Sequence, residues 1–534
     1  MKRRDFLAST AAVAAAAGSL AGPNIAAAAS QRVVKFVPQA DLAVLDPIWT
    51  TTYPTRDHGF LVFDTLYGQE GPNKGWAVSP QMVEGHSVGN GGKLWKLTLR
   101  AGLRFHDGTP VLAKDCVASI RRWGVRDSFG QALMAAADEL SAADDKTIVF
   151  HLKHPFPLLP AALGKTPPNM CPMMPERLAK TDPFTQITEM VGSGPYAFNA
   201  KERVVGSRVV YDRFTGYVPR PNGTPSWTAG PKITHFDRIE WRIIQDPSTA
   251  LSAISTGEVD WWWVPDADLL PALRQDRHLV VRIVDPTGLI GTMRFNWLQP
   301  PFNNPALRRA VIGAIDQAEY MTAVAGTDRH MWRDGVGYFC PGTPMANDAG
   351  MHALTGLRDL DGVKKAVQAS GYRGEKAVLL APTDIPSVKA VADICNDMMH
   401  KIGVNVDYQA MDWGTLVERR TSKQPVEKGG WSVFSTFWSG LDQYNPAVNP
   451  FLRGNGKDAA PGWPIDPKIE SLRSQWLGAP DVAAQKKIAV AIQQEAFHAV
   501  PYIPLGQEFN PTAYRKDITG VLDGIPVFWN IRRS

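Results

Sequence analysis

Cysteine is scarce in this chain of 534 residues: there are four, and none forms a C-x-x-C pair. That removes the usual cysteine-based zinc and thioredoxin-type redox sites. Beyond the first thirty residues, no run approaches the ~20 apolar residues of a membrane-spanning helix. Charge of one sign is also in short supply. Lys and Arg number 57 against 52 Asp and Glu, for a net +5. Three basic residues against one acid in the first five positions account for +2 of that. The remainder is too small to argue for a nucleic-acid or anionic-membrane partner. Catalytic signatures are missing as well. There is no phosphate-cradling G-x-x-x-x-G-K-[ST], no H-E-x-x-H, and no G-x-G-x-x-G between a strand and a helix. Gly192-Ser193-Gly194-Pro195 lacks nucleophile-elbow spacing, and Pro195 prevents the helix that motif needs. His151 and His154 are the only close histidine pair, and on a strand they face opposite ways. Asp144-Asp145 reads as a solvated turn. No catalytic residue and no cofactor or metal site is therefore expected.

What is present begins with the leader. Lys2-Arg3-Arg4-Asp5-Phe6-Leu7, a mild Ala-rich run to Leu20 and small residues at Ala26–Ala29 read as a cleavable signal over 1–29. The paired arginines followed by Phe-Leu resemble a twin-arginine export signal. With no Cys near the cleavage region, the expectation is a soluble protein free in the periplasm. The length exceeds what one hydrophobic core supports, so at least two domains are expected. Seventeen Trp and 42 Pro suggest many loops and a ligand surface built on rigid aromatics. Cys116 and Cys395 fall on apolar helix faces and read as buried thiols. Cys171 and Cys340 lie in Pro-rich loops and are the favoured pair if a disulfide forms.

Along the chain, strands and helices alternate, which argues an α/β architecture. Leu94–Leu99 and Thr147–Leu152 read as strands. Asp246-Pro247 opens a helix that Gly257 ends, and Asn304-Pro305 opens another through Leu307, Val311 and Ile315. A helix from Ser387 runs to Gly403 and leads into a strand over Val404–Tyr408. No flexible linker divides the chain, so any two lobes are joined by short ordered crossings.

Five segments in order carry a resemblance. They are Leu99-Arg100-Ala101-Gly102 through Phe105-His106-Asp107-Gly108-Thr109-Pro110; Gly192-Ser193-Gly194-Pro195-Tyr196; Phe236-Asp237 through Gln245-Asp246-Pro247 to Gly257-Glu258-Val259-Asp260; Met293-Arg294-Phe295-Asn296 with Pro301-Phe302 and Ala314-Ile315-Asp316; and Lys401-Ile402-Gly403-Val404 with Asp412-Trp413. Together they resemble the peptide, opine and nickel class of periplasmic binding proteins over about residues 32–510. The resemblance implies a two-lobed α/β fold with a hinge, an interlobe cleft and an enlarged first lobe. It implies lobe I over 31–284 plus 505–534 and lobe II over 285–504, with crossings near Asp285-Pro286 and Tyr502-Ile503-Pro504. It also implies function: capture of a small polar solute and delivery to an ABC permease by a monomer. Gly192 and Gly194 are expected to need special dihedrals.

Site residues follow from the same resemblance. Peptide-binding relatives place a Trp and then an Asp before Pro, the Asp accepting the ligand's α-ammonium. Here Asp442 takes that place, with Trp438 upstream and one extra residue between them. Dipeptide-binding relatives hold the ligand carboxylate by an Arg on the loop that here reads Ala381-Pro382-Thr383-Asp384-Ile385-Pro386, which has no cation. The departure puts a dipeptide in doubt, and Asp384 beside Thr383 favours a more cationic ligand. Trp261, Trp263, Trp413, Trp438, Trp49 and Tyr53 are the aromatic candidates for stacking on ligand. An exported α/β hydrolytic enzyme, or a binding protein that feeds a sensor, are the alternatives.

Overall fold

The computed structural model describes residues 32–534, so the leader falls outside the described residues. Three sheets organise the chain. The first has seven strands in the spatial order 279–282, 512–515, 261–262, 33–37, 238–242, 208–213 and 196–198. Its strand Val33–Val37 runs parallel to both of its neighbours, and the other pairings are antiparallel. The second has six strands in the order 332–333, 502–508, 289–295, 433–439, 377–382 and 406–411. A four-stranded sheet over 83–152 enlarges the first lobe and is covered by the helix Ala113–Arg126.

Local sequence explains the elements. In Leu94–Leu99, Trp95, Leu97 and Leu99 are buried while Lys96 and Thr98 face water, as period-two alternation requires. The Asp246 carboxylate accepts the Thr249 amide at 2.7 Å and opens the helix Pro247–Thr256. Helix Pro386–Lys401 buries Val388, Val391, Cys395 and Met398 against the strand Ala377–Pro382. The helix opened by Asn304 is shorter than expected. It ends at Ile312, and Asp316 caps a separate helix, Gln317–Ala325, through the Ala318 and Glu319 amides. The strand after Gly403 begins late, at Val406, and runs to Met411.

Three expectations are corrected. Gly192 and Gly194 do not have positive φ. They are required by close approach, because a Cβ on Gly192 would lie 2.1 Å from the Val62 carbonyl oxygen and one on Gly194 2.5 Å from that of Leu61. Cys171 and Cys340 are not joined: all four cysteines are free and buried. Cys171 packs in the core of the first lobe, whereas Cys340 lies against Thr287 and Gln507 beside the second sheet. Burial raises the pKa of every one of these thiols. Finally, Tyr502-Ile503-Pro504 is not a crossing. Residues 502–508 form an inner strand of the second sheet, with Pro504 at a bulge where the pairing with Leu289–Phe295 slips by one residue. The chain crosses between sheets at 283–288 and again at 509–511.

Candidate functional site

The first and second lobes meet around a cavity of about 330 Å³. From the first lobe, Gln69, Trp76, Phe129 and Lys165 line it. From the second come Leu441, Tyr444, Asn445 and Trp476. The walls are chiefly apolar with a few polar groups, the usual make-up of a small-molecule site.

Each wall residue is held by its local structure. Trp76 follows the turn Pro72–Lys74 with φ of 63°, its ring edge-on to Trp227 at 5.4 Å and to Tyr444 at 6.0 Å across the lobes. Phe129 occupies the first turn of helix Ser128–Ala136, whose Phe129 and Gly130 amides are capped by Asp127 at 2.9 and 3.0 Å. Lys165 is almost wholly buried and donates to the Asp127 carboxylate and, at 3.0 Å, to the Asn169 carbonyl. Tyr444 and Asn445 leave the short helix Gly440–Gln443. Direct bonds join the lobes near this wall. Ser128 Oγ donates to the Ala447 carbonyl at 2.9 Å, and the Ser439 amide donates to the Tyr53 hydroxyl at 2.7 Å.

Asp442 lies in the same short helix. It is 1% exposed, its side chain is not part of the cavity wall, and its Oδ1 has no hydrogen-bond partner among the described residues. Burial pushes its pKa up to about 7, against the opposing pull of Arg56 and Lys165. A second, smaller recess of about 40 Å³ sits at the crossing, lined by Tyr53, Arg56, Trp263, Asp285, Gly288 and Ser439. It has room for only a few waters. Arg56 and Asp57 form a buried pair there at 2.9 Å, and burial pushes Asp57 up to about 6 despite Arg56.

The family model for bacterial extracellular solute-binding proteins, family 5 (middle region), matches residues 77–459. The chain belongs to this family. Among its relatives is the probable peptide ABC transporter periplasmic-binding protein y4tO of Sinorhizobium fredii, 35% identical over 97% of this chain and 98% of that one. Among solved structures, AgaA of A. tumefaciens R10 in complex with agropinic acid superimposes with a TM-score of 0.78 at 19% identity, covering 94% of this chain and 99% of that one. A dipeptide-binding protein of Pseudoalteromonas sp. SM9913 in complex with Met-Leu gives 0.74 at 19% identity, covering 94% and 100%. This protein is thus a family 5 solute-binding protein of the ABC importer type with the two-lobed fold, and it acts outside the cytoplasm. No helix among the described residues is long and apolar enough to cross a membrane.

The family 5 protein distributes the residues singled out in its sequence unevenly. Tyr53 and Trp263 meet in the recess at the crossing, and Asp442 adjoins the cavity-lining residues of the second lobe. Thr383, Asp384 and Trp413 are brought together, with the Asp384 carboxylate accepting the Trp413 amide at 2.8 Å, but Thr383 and Asp384 are exposed, Trp413 is half-buried against the core, and none of the three lines the cavity. Trp261 is corrected to core. It is 1% exposed, is packed by Phe36, Tyr514 and Phe528, and its indole N–H donates to Thr512 at 2.7 Å. Trp49 is stacked by the Arg126 guanidinium at 5.1 Å, and Trp438 packs edge-on against Phe451 at 5.0 Å. Neither lines the cavity.

Sequence reasoning missed Trp76, Phe129, Lys165 and Trp476. Trp76 had a local signal, since Gly75-Trp76 closes a Gly-Pro-Asn-Lys turn. A Lys in a Gly-Lys-Thr-Pro-Pro loop carries no mark of burial. The hydroxyl bridge from Tyr53 gives a first expectation. Tyr53→Phe leaves the Ser439 amide without its acceptor and is expected to weaken the closed form by about 1 kcal/mol. Calorimetric titration should show solute affinity reduced a few-fold.

Proposed function

We propose that the protein captures a compact amine-bearing solute, a small peptide, an opine or an amino-acid derivative, in the cavity between its lobes. It carries the solute through the periplasm as a monomer to an ABC permease. The observation that carries this reading is a cavity walled by both lobes, in which Trp76 of the first packs edge-on against Tyr444 of the second. Such a site is complete only when the lobes are shut, so bound solute favours the closed form that a permease recognises. The orphan Oδ1 of buried Asp442 beside the second-lobe wall supports an ammonium group on the solute. The peptide assigned to y4tO by its name and the Met-Leu held by one of the two solved relatives fall in the same chemical range.

The test is a melting screen of leaderless protein, unfolded and refolded to strip co-purified ligand, against peptides, opines, amino-acid derivatives, sugars and metal chelates. A ligand at about 100 times its Kd adds about 2.7 kcal/mol, a clear rise in Tm. Hits are expected among amine-bearing compounds and are expected to disappear in Trp76→Ala. A hit confined to sugars keeps the binding role and removes this class of solute.

A further inference from the structure

The motif Met293-Arg294-Phe295-Asn296 contains an arginine that no solute contact accounts for. Arg294 sits on the inner strand Leu289–Phe295 of the second sheet and is fully buried. Its guanidinium donates to the carbonyls of Phe451 at 2.7 Å, Pro461 at 2.8 Å, Pro501 at 3.0 Å and Ala460 at 3.1 Å. It also lies 4.4 Å from the centre of the Phe451 ring. None of these partners is a carboxylate. A buried cation held by neutral groups alone is costly, and apolar side chains would fill the same space with less penalty. Burial pushes the guanidinium down to about 9, so it is still charged at neutral pH. The chain is drawn in tightly around it. Gly462 has φ of 109°, and a Cβ there would lie 2.6 Å from Arg294 Nε.

What the guanidinium holds is the back of the cavity wall. Tyr444, Asn445 and Val448 line the cavity and belong to the stretch 443–452, whose far end Arg294 grips at the Phe451 carbonyl. Within that stretch the Asn449 side chain accepts the Phe451 and Leu452 amides. It donates at 3.0 Å to the Tyr502 hydroxyl, which in turn donates at 3.3 Å to Gln443. Tyr502 is paired with Arg294 across the sheet. The Phe451 ring packs edge-on against Trp438 at 5.0 Å and Tyr502 at 6.0 Å. Trp438 precedes the short helix that carries Asp442, and Gln443 ends it. Both sides of that helix therefore lean on groups held by Arg294. Arg308 is a counterpart without this connection. It too is buried, lies 3.5 Å from the centre of the Trp297 ring, and donates to the carbonyls of Phe302 at 2.7 Å and Ala499 at 3.1 and 3.3 Å. Neither Phe302 nor Ala499 lines the cavity.

We infer that Arg294 is a positioning residue for solute capture: from behind the second-lobe wall it fixes the stretch 443–452 and the short helix that carries Asp442. A rigid planar fork with donors in several directions suits this task, because it gathers carbonyls from separate segments at one point. That the wall receives solute rests on the function proposed above. The hold of Arg294 on the wall does not, and it is readable in the unliganded protein.

The test compares the refolded, unliganded mature chain with Arg294→Gln and Arg308→Gln, neither of which introduces a titratable group. Each variant loses buried bonds and is expected to melt a few degrees below the wild type. The pH profile separates them. In the wild type burial raises the Asp442 carboxyl to about 7, so its contribution to stability is lost as pH rises through that value. A loosened wall admits water, the carboxyl returns toward the ordinary carboxylate range, and that loss disappears. The groups facing Asp442, namely Tyr53, Arg56, Asp127 and Lys165, all belong to the first lobe and are the same in each variant. The deficit of Arg294→Gln is therefore expected to be a few degrees smaller at about pH 8 than at about pH 5, and that of Arg308→Gln equal at both. Hydrogen exchange followed by mass spectrometry should show the amides of 443–452 exchanging about tenfold faster in Arg294→Gln and unchanged in Arg308→Gln. If Arg294→Gln does not fold, Phe451→Leu removes the ring, keeps the carbonyl, and is expected to shift both readouts in the same direction. Equal deficits of the variant at the two pH values, or unchanged exchange over 443–452, overturns the assignment.

Discussion

Asp442→Asn is expected to lower the affinity for an amine-bearing solute by on the order of a hundredfold, or about 3 kcal/mol, and to abolish the pH dependence of binding. The reason is the state of the carboxyl. Burial pushes it up to about 7, and one oxygen has no partner among the described residues. An arriving ammonium group draws off the proton and forms charge-assisted bonds that a neutral amide cannot replace. Below about pH 7 the wild type must release a proton to bind. Its affinity is therefore expected to fall, approaching tenfold per pH unit, whereas the Asn variant should give a flat profile. Calorimetric titration in two buffers of different ionisation enthalpy counts the proton directly. An unchanged affinity in the variant, or no proton released by the wild type at about pH 6, would sink the ammonium assignment.

The same substitution makes a separate prediction for the unliganded protein. A carboxyl whose folded pKa is raised has its stability contribution fully present below the unfolded value near 3.8 and loses it as pH rises through about 7. Removing the ionisable group removes that loss. Asp442→Asn is accordingly expected to melt close to the wild type near pH 4 and above it at pH 8, by on the order of a few kcal/mol. A functional acid that destabilises its own fold is the pattern expected where the charge is completed by ligand.

The second large effect is at the crossing between lobes. Gly288 has φ of 50°, and a Cβ there would lie 2.1 Å from the Glu508 carbonyl oxygen and 2.9 Å from the Phe509 ring. Gly288→Ala thus meets two penalties, a left-handed backbone costing about 1–2 kcal/mol and an overlap that separates the two crossing segments. The combined destabilisation is expected to reach about 3 kcal/mol or more in denaturant unfolding. Solute affinity should fall as well, and small-angle scattering should show a more open pair of lobes. Gly335→Ala is the control, because Gly335 has φ of 69° with open space around its Cβ position. It should show the dihedral cost alone and leave affinity intact. If both variants behave alike, the contact with Glu508 has no part in holding the lobes.

Local chemistry made much of the fold legible. Alternation placed Leu94–Leu99 and Thr147–Leu152 as strands, and Asp246-Pro247 and Gly257 bounded a helix, because caps and pleats act within a few residues. The position of the second crossing, implied near Tyr502-Ile503-Pro504 by the resemblance, is not legible locally. A proline normally disrupts a strand, and only the slipped pairing with Leu289–Phe295 makes room for it. Asp442 could be singled out from its order relative to Trp438 and Pro446. Its burial and its orphan oxygen could not, since both depend on how distant parts of the chain pack around the helix Gly440–Gln443.

The sequence by itself determined the alternating α/β architecture, the family and the absence of catalytic signatures, since these are written in periodicity and short ordered motifs. The tertiary structure alone decided which aromatics are core and which are wall. Trp261 and Trp76 look equally available as letters, yet one is packed among four aromatic side chains and the other lines the cavity. It also decided which distant residues meet. Lys165 and Trp476 lie more than three hundred residues apart, and only the packing of the two lobes brings them to the wall of the same cavity.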